Sequence, residues 1–118
     1  MATTLFLLKP DFLDHNTPDD KQLYFCPQCA TVEGILQYYP IIKDGIEIVY
    51  VDFKRPRPII IDRVGEENQG CPLLVIDKTD ENEVDTSYFQ SYGDKLFVNS
   101  VKLISKYFAE KFNVGITH

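Results

Sequence analysis

The residues with the most distinctive chemistry in this sequence are two cysteines in the segment Phe25-Cys26-Pro27-Gln28-Cys29. An apolar strand-like pattern precedes the segment and a helix-like pattern follows it. Cys26 therefore falls at the predicted helix N-cap and Pro27 in the first turn, where a proline lacks no needed N–H donor. A sulfur at a helix N-terminus meets unpaired N–H groups and the positive end of the helix dipole, and both favour the thiolate. Cys29 lies one turn further on, so the spacing predicts a two-thiol redox centre in which Cys29 resolves a mixed disulfide formed at Cys26.

Two other roles fit the same cysteine pair. The thiols can serve as small buried hydrophobic groups, or they can supply half of a metal site. The spacing between them does not separate these possibilities from the redox one, so the elements around the pair have to be considered.

Length and charge narrow the class of protein. A chain of 118 residues predicts one domain, residues 1–118, with 44% hydrophobic and 25% charged residues as in ordinary globular proteins. The net charge of −6 argues against a nucleic-acid partner, whose phosphates require clustered Lys and Arg. The only basic cluster, Lys54-Arg55-Pro56-Arg57, is short.

The hydrophobic segments are also short. The run Leu5–Leu8 near the N-terminus is too short for a signal peptide, and nothing approaches the ~20 apolar residues of a membrane span. We therefore expect a cytoplasmic protein with no membrane partner. In a reducing compartment three cysteines favour catalysis or metal binding over a structural disulfide framework.

The first half of the chain predicts a strand–helix–strand unit. Thr4–Leu8 is apolar on both faces, as in a central strand covered by helices. After the long connection Asp11–Tyr24, a helix runs from the cysteine pair to Pro40, and a turn is predicted at Lys43–Gly45. Ile46–Phe53, rich in β-branched and aromatic residues, is the second predicted strand. The order indicates a βαβ unit with parallel strands.

The second half predicts a shorter helix, two strands and a final helix. The short helix follows Pro58 and ends near Gly65. Leu73–Ile76 and Lys95–Val98 are the predicted strands, and we expect them to be antiparallel to each other. A hairpin excursion with a short helix over Val84–Phe89 is predicted between them. Asn99 or Ser100 caps the last helix, whose apolar residues recur every three or four positions.

This βαβαββα order resembles the thioredoxin fold over roughly Thr4 to Phe112. Cys26-Pro27-Gln28-Cys29 is similar to the Cys-Pro-x-Cys centre of glutaredoxins, and Pro72 stands where the superfamily has its cis-proline. The closing segment Val98–Ser100 is similar to the end of a glutaredoxin or of a glutathione-transferase N-terminal domain. The chain also resembles a small bacterial family of uncharacterised thioredoxin-fold proteins. The resemblance implies a four-stranded mixed sheet flanked by helices.

The resemblance also implies a substrate site, formed by Pro27, Cys71, Pro72 and Ser100. Cys71, before the cis-proline, would face the dithiol, and its backbone would pair with an extended substrate. The helix N-terminus at Ser100 would hold the γ-glutamyl carboxylate of glutathione, although ordinary capping explains this serine equally well. Other candidate ligands, for the glycyl carboxylate, are Lys9, Arg55 and Arg57, unless these are solvated surface charges.

The predicted function is thiol–disulfide oxidoreduction by the Cys26/Cys29 dithiol. The partner would be a protein or small-molecule disulfide, with glutathione as a possible co-substrate and no bound cofactor. The alternative is a non-catalytic thioredoxin-fold protein that binds a partner, or a metal through Cys26, Cys29 and Cys71 with His15 as a fourth ligand. Cys71 could also act as a third exchanging thiol, or simply be a small residue that packs tightly.

Overall fold

A mixed five-stranded sheet with helices on both faces forms the framework of the chain. The computed structural model describes residues 3–19, 21–80 and 84–118. The strands are β1 (Thr4–Leu8), β2 (Glu47–Val51), β3 (Leu73–Asp77), β4 (Gln90–Tyr92) and β5 (Lys95–Val98). The helices are α1 (Pro27–Tyr38), α2 (Ile41–Gly45), α3 (Pro58–Val64) and α4 (Val101–Phe112), with a single 3-10 turn at Lys78–Asp80.

Strand order in the sheet is β2-β1-β3-β5-β4. β1 runs parallel to β2, with Thr4 opposite Glu47, and all other pairings are antiparallel. The predicted parallel pairing of the first two strands is therefore confirmed. So is the antiparallel pairing of Leu73–Ile76 with Lys95–Val98.

Alternation along the strands divides the core into two layers. Leu5 and Leu7 pack with the buried residues of α1 and α4, whereas Phe6 packs on the opposite face with α3. All three side chains have no exposed area. A strand buried on both faces reads as a continuous apolar run, which is why β1 is recognisable from sequence.

Four details of the fold differ from the predictions. The sheet has five strands rather than four, because β4 pairs with β5 at one edge. The prediction of a helix over Val84–Phe89 is wrong, since those residues form bends and turns. The segment ending at Gly45, predicted as a turn, is the short helix α2. The second strand spans Glu47–Val51, which is shorter than predicted.

The long connection between β1 and α1 is closed at its base. Phe12 and Tyr24 form an antiparallel bridge through backbone N–H···O distances of 3.1 and 2.9 Å. The Phe12 ring also stacks on Phe53, just after β2, with centroids 4.2 Å apart. These contacts attach the loop to the carboxyl ends of β1 and β2. Across the described ranges, no helix has the length and apolarity that crossing a membrane requires.

Candidate functional site

Helix α1 begins at the cysteine pair, as the sequence predicts. Cys26 is the N-cap, with extended backbone (φ −78°, ψ 115°), and Pro27 is the first helical residue. The Cys26 Sγ accepts a hydrogen bond from the Cys29 backbone N–H at 3.1 Å. Sulfur thus takes the place that a serine or aspartate oxygen has at an ordinary N-cap. The N-terminus of α1, with this N–H donor, therefore faces the Cys26 sulfur.

The two thiols have different environments. Cys26 is partly exposed, whereas Cys29 retains only 4% of its accessible area. Burial raises the pKa of Cys29 from its ordinary 9.0 to about 12, and the neighbouring Cys26 sulfur adds to this effect. At neutral pH Cys29 is therefore a protonated, sheltered thiol beside a more accessible sulfur.

The loop before β3 approaches the same cysteines. The Cys71–Pro72 peptide bond is cis, as predicted, and Pro72 is buried. The Cys71 carbonyl oxygen lies 3.9 Å from the Cys26 Sγ. Burial raises the pKa of Cys71 to about 11, although the nearby Arg57 charge opposes this effect. The structure thus brings the Cys71 backbone to the Cys26–Cys29 pair, and all three cysteines are free thiols.

The metal alternative finds little support in the geometry. Within residues 3–19, 21–80 and 84–118, no three His, Cys, Asp or Glu side chains are grouped as ligands of one ion. His15 is exposed, and it borders a cavity together with Arg55 and Arg57. The fourth ligand proposed from the sequence is therefore not associated with the cysteines.

The other predicted substrate-binding residues are divided among several places. Pro27 is exposed beside Cys26. Ser100 caps α4, where its Oγ accepts the Leu103 N–H at 3.2 Å, so the capping role is observed. Lys9 forms an ion pair with Asp52 at 3.2 Å.

A cavity of about 250 Å³, which was not predicted from the sequence, lies beside the cysteine pair. Its wall includes the exposed ring of Phe25, the carboxylate of Glu33 and the ring of Tyr50. The Tyr50 hydroxyl donates a 2.8 Å hydrogen bond to Glu33, and burial together with this carboxylate raises the pKa of Tyr50 to about 12. The i, i+4 spacing of Cys29 and Glu33 on α1 is the sequence signal that could have identified the glutamate.

Arg57, expected as a surface cation or a carboxylate ligand, is instead a buried residue with 6% exposure. Its guanidinium donates to three backbone carbonyls, those of Asp52 at 3.2 Å, Gln69 at 2.6 Å and Phe53. The Arg57 backbone N–H donates to the Gln69 side-chain oxygen at 2.7 Å. Arg57 therefore ties the segment after β2 to the segment that leads into the Cys71–Pro72 loop. Burial lowers its pKa, while the nearby Cys71 acts in the opposite direction.

The fold and site define a mixed α/β protein with a Cys-x-x-Cys pair at a helix N-terminus, facing a cis-proline loop. A protein-family model described as "Protein of unknown function (DUF3088)" matches residues 2–116, and the chain belongs to this family. No curated protein and no solved structure matches the chain.

Proposed function

We propose that the protein is a thioredoxin-like thiol–disulfide oxidoreductase that uses the Cys26/Cys29 dithiol. One observation carries the proposal: a partly exposed N-cap sulfur accepts the Cys29 N–H, and the second thiol lies buried directly behind it. A dithiol exchange reaction requires such an arrangement, with one accessible nucleophile and one protected resolving thiol.

The chain topology supports a thioredoxin-like fold. A parallel β1–α1–β2 unit, an antiparallel β3–β5 pair and a final helix α4 follow the order expected of that fold. A cis-proline directly before β3 adds to the likeness. In this interpretation β4 is an additional edge strand.

The proposed reaction has two exchange steps. The Cys26 thiolate attacks one sulfur of a substrate disulfide, which forms a mixed disulfide and releases the first substrate thiolate. Cys29 then loses its proton and attacks the Cys26 sulfur, which releases the second substrate thiolate and leaves a Cys26–Cys29 disulfide. The substrate gains two electrons and the released thiolates take up protons from solvent. A thiol reductant of the cell, for which glutathione is a candidate, restores the dithiol.

The cis-proline loop has a positioning role in this scheme. Because the Cys71 carbonyl lies 3.9 Å from the Cys26 Sγ, a substrate backbone that pairs with residue 71 would bring its sulfur to the nucleophile. A protein or peptide disulfide is therefore the favoured substrate class. Pro27 is exposed next to Cys26 in the chain, and Ser100 acts as a helix cap.

Single-turnover exchange tests the proposal. Reduced protein in a Cys71→Ser background is mixed with one equivalent of 4,4′-dithiodipyridine, and release of thiopyridone is followed by absorbance. The intact dithiol should release both thiopyridones and end as an intramolecular disulfide. A further Cys29→Ser change should stop the reaction after one thiopyridone, with the other attached to Cys26 by mass spectrometry.

A Cys26→Ser variant in the same background is the matched control and should react slowly, because only the buried Cys29 remains. If the reduced dithiol protein reacts no faster than this control, the oxidoreductase proposal is wrong. The non-catalytic alternative would then be the better interpretation.

A further inference from the structure

Cationic side chains concentrate around one cavity at the carboxyl ends of β1 and β2. The cavity has a volume of about 550 Å³ and lies between the long loop and the segment after β2. Lys54, Arg55 and Arg57 contribute to its lining. This concentration is unexpected in a chain whose net charge is −6.

No carboxylate neutralises these cations in the part of the chain that the structure describes. The ion pairs found there are Lys9–Asp52 and Lys95–Asp77, and neither involves Lys54, Arg55 or Arg57. The one acidic residue that lines the cavity, Asp14, accepts the Asn16 backbone N–H at 3.0 Å. The cavity wall therefore carries a local excess of positive charge.

The charge on Arg57 is held in place. Its side chain is only 6% exposed, and three backbone carbonyls orient the guanidinium without neutralising it. A buried charge is costly unless an opposite charge accompanies it. Arg55 and Lys54 are exposed and can adjust to a ligand. A fixed cation beside two adaptable cations is suited to an anion with more than one charged group.

We propose that this cavity binds a small polyanion, a molecule with two or more phosphate or carboxylate groups. Its volume is in the range of small-molecule sites. The short basic segment is also better matched to a small molecule than to a nucleic-acid backbone. The site does not depend on thiol chemistry, because none of its lining residues is a cysteine.

Isothermal titration calorimetry at low ionic strength tests the site, with inorganic pyrophosphate and citrate as the two probes. The wild type should bind at least one probe saturably at a single site, and the preferred probe distinguishes phosphate from carboxylate recognition. Arg55→Gln should weaken this binding about tenfold, the usual effect of losing one charge-assisted hydrogen bond. Lys102→Gln, which removes one exposed cation from α4, is the matched control and should bind like the wild type.

Absence of saturable binding for both probes, at concentrations on the order of millimolar, would overturn the proposal. Equal weakening by Arg55→Gln and Lys102→Gln would also overturn it, because diffuse charge would then explain the attraction. Cys26→Ser should leave binding of the preferred probe unchanged. This variant separates the anion site from the proposed redox function, which it should abolish.

Discussion

Burial should keep Cys29 slow to react even after the other two thiols are removed. Its side chain is 4% exposed, and burial is the largest cause of its raised pKa, ahead of the hydrogen bond and charge from Cys26. The double variant Cys26→Ser/Cys71→Ser retains that largest cause and leaves Cys29 as the only thiol in the chain. Its alkylation rate therefore reports the environment of this one sulfur.

The expected slowing follows from two opposing effects. A rise in pKa from 9.0 to about 12 lowers the thiolate fraction at neutral pH about 1000-fold. A more basic thiolate is also a better nucleophile, and a Brønsted slope of about 0.5 recovers about 30-fold of that loss. The net slowing in the wild type is thus about 30-fold. In the double variant, without the smaller contributions of Cys26, we expect at least about tenfold. Restricted access to the buried sulfur should slow the alkylation of Cys29 further in both proteins.

The assay is iodoacetamide labelling followed by mass spectrometry. Native double variant is compared with the same variant unfolded in guanidinium chloride, which provides the reference rate for an exposed thiol. The native rate should also rise about tenfold per pH unit from about pH 7 to 9, because the thiol is far below its pKa throughout. In the wild type, limiting reagent should label Cys26 first. A native rate within about threefold of the unfolded rate, with circular dichroism still native, would refute the reasoning.

Urea unfolding checks four further predictions. Because the folded pKa of Cys29 lies above its unfolded value, the free energy of unfolding should fall as pH rises from 9.0 towards about 12. Cys29→Ala should reduce this pH dependence by about 1 kcal/mol per pH unit, and an unchanged pH dependence would contradict the assignment. Arg57→Ala should lower the free energy of unfolding by about 2–4 kcal/mol, because buried carbonyls lose their donor. Arg55 is exposed, so Arg55→Ala should change it by no more than about 0.5 kcal/mol. Similar losses in the two variants would exclude the special role of Arg57. Ser100→Ala should cost about 1 kcal/mol through the lost α4 cap, and no loss would show that the observed hydrogen bond is dispensable. Gly34→Ala should stabilise α1 by about 0.5–1 kcal/mol, since a Cβ there meets nothing within 4 Å; destabilisation would indicate an unseen contact.

Local signals in the sequence were sufficient to predict β1 and the starts of α1 and α4. The apolar run of β1, the proline after Cys26 and the serine before α4 each act within a few residues, through burial pattern or capping. Cys26, and either Asn99 or Ser100, were accordingly predicted as N-caps, and the structure has Cys26 and Ser100 in these positions. The cis bond at Pro72 followed from the family resemblance rather than from local pattern, and the structure agrees.

The remaining features depend on residues far apart in the chain. All three residues of β4 are exposed and show no alternation, so only backbone pairing with β5 makes that segment a strand. The sequence indicates a surface cation at Arg57. Its burial depends on Gln69, twelve positions away, and on the backbone carbonyls of the segment after β2. Neither the cavity beside the thiols nor the cationic cavity could be inferred from residue spacing, because each is enclosed by segments that only folding brings together. The sequence by itself determined which residues could react and where the helix that presents them begins. Burial and long-range pairing, which belong to the tertiary structure, decided which thiol is protected and which cations gather around a separate cavity.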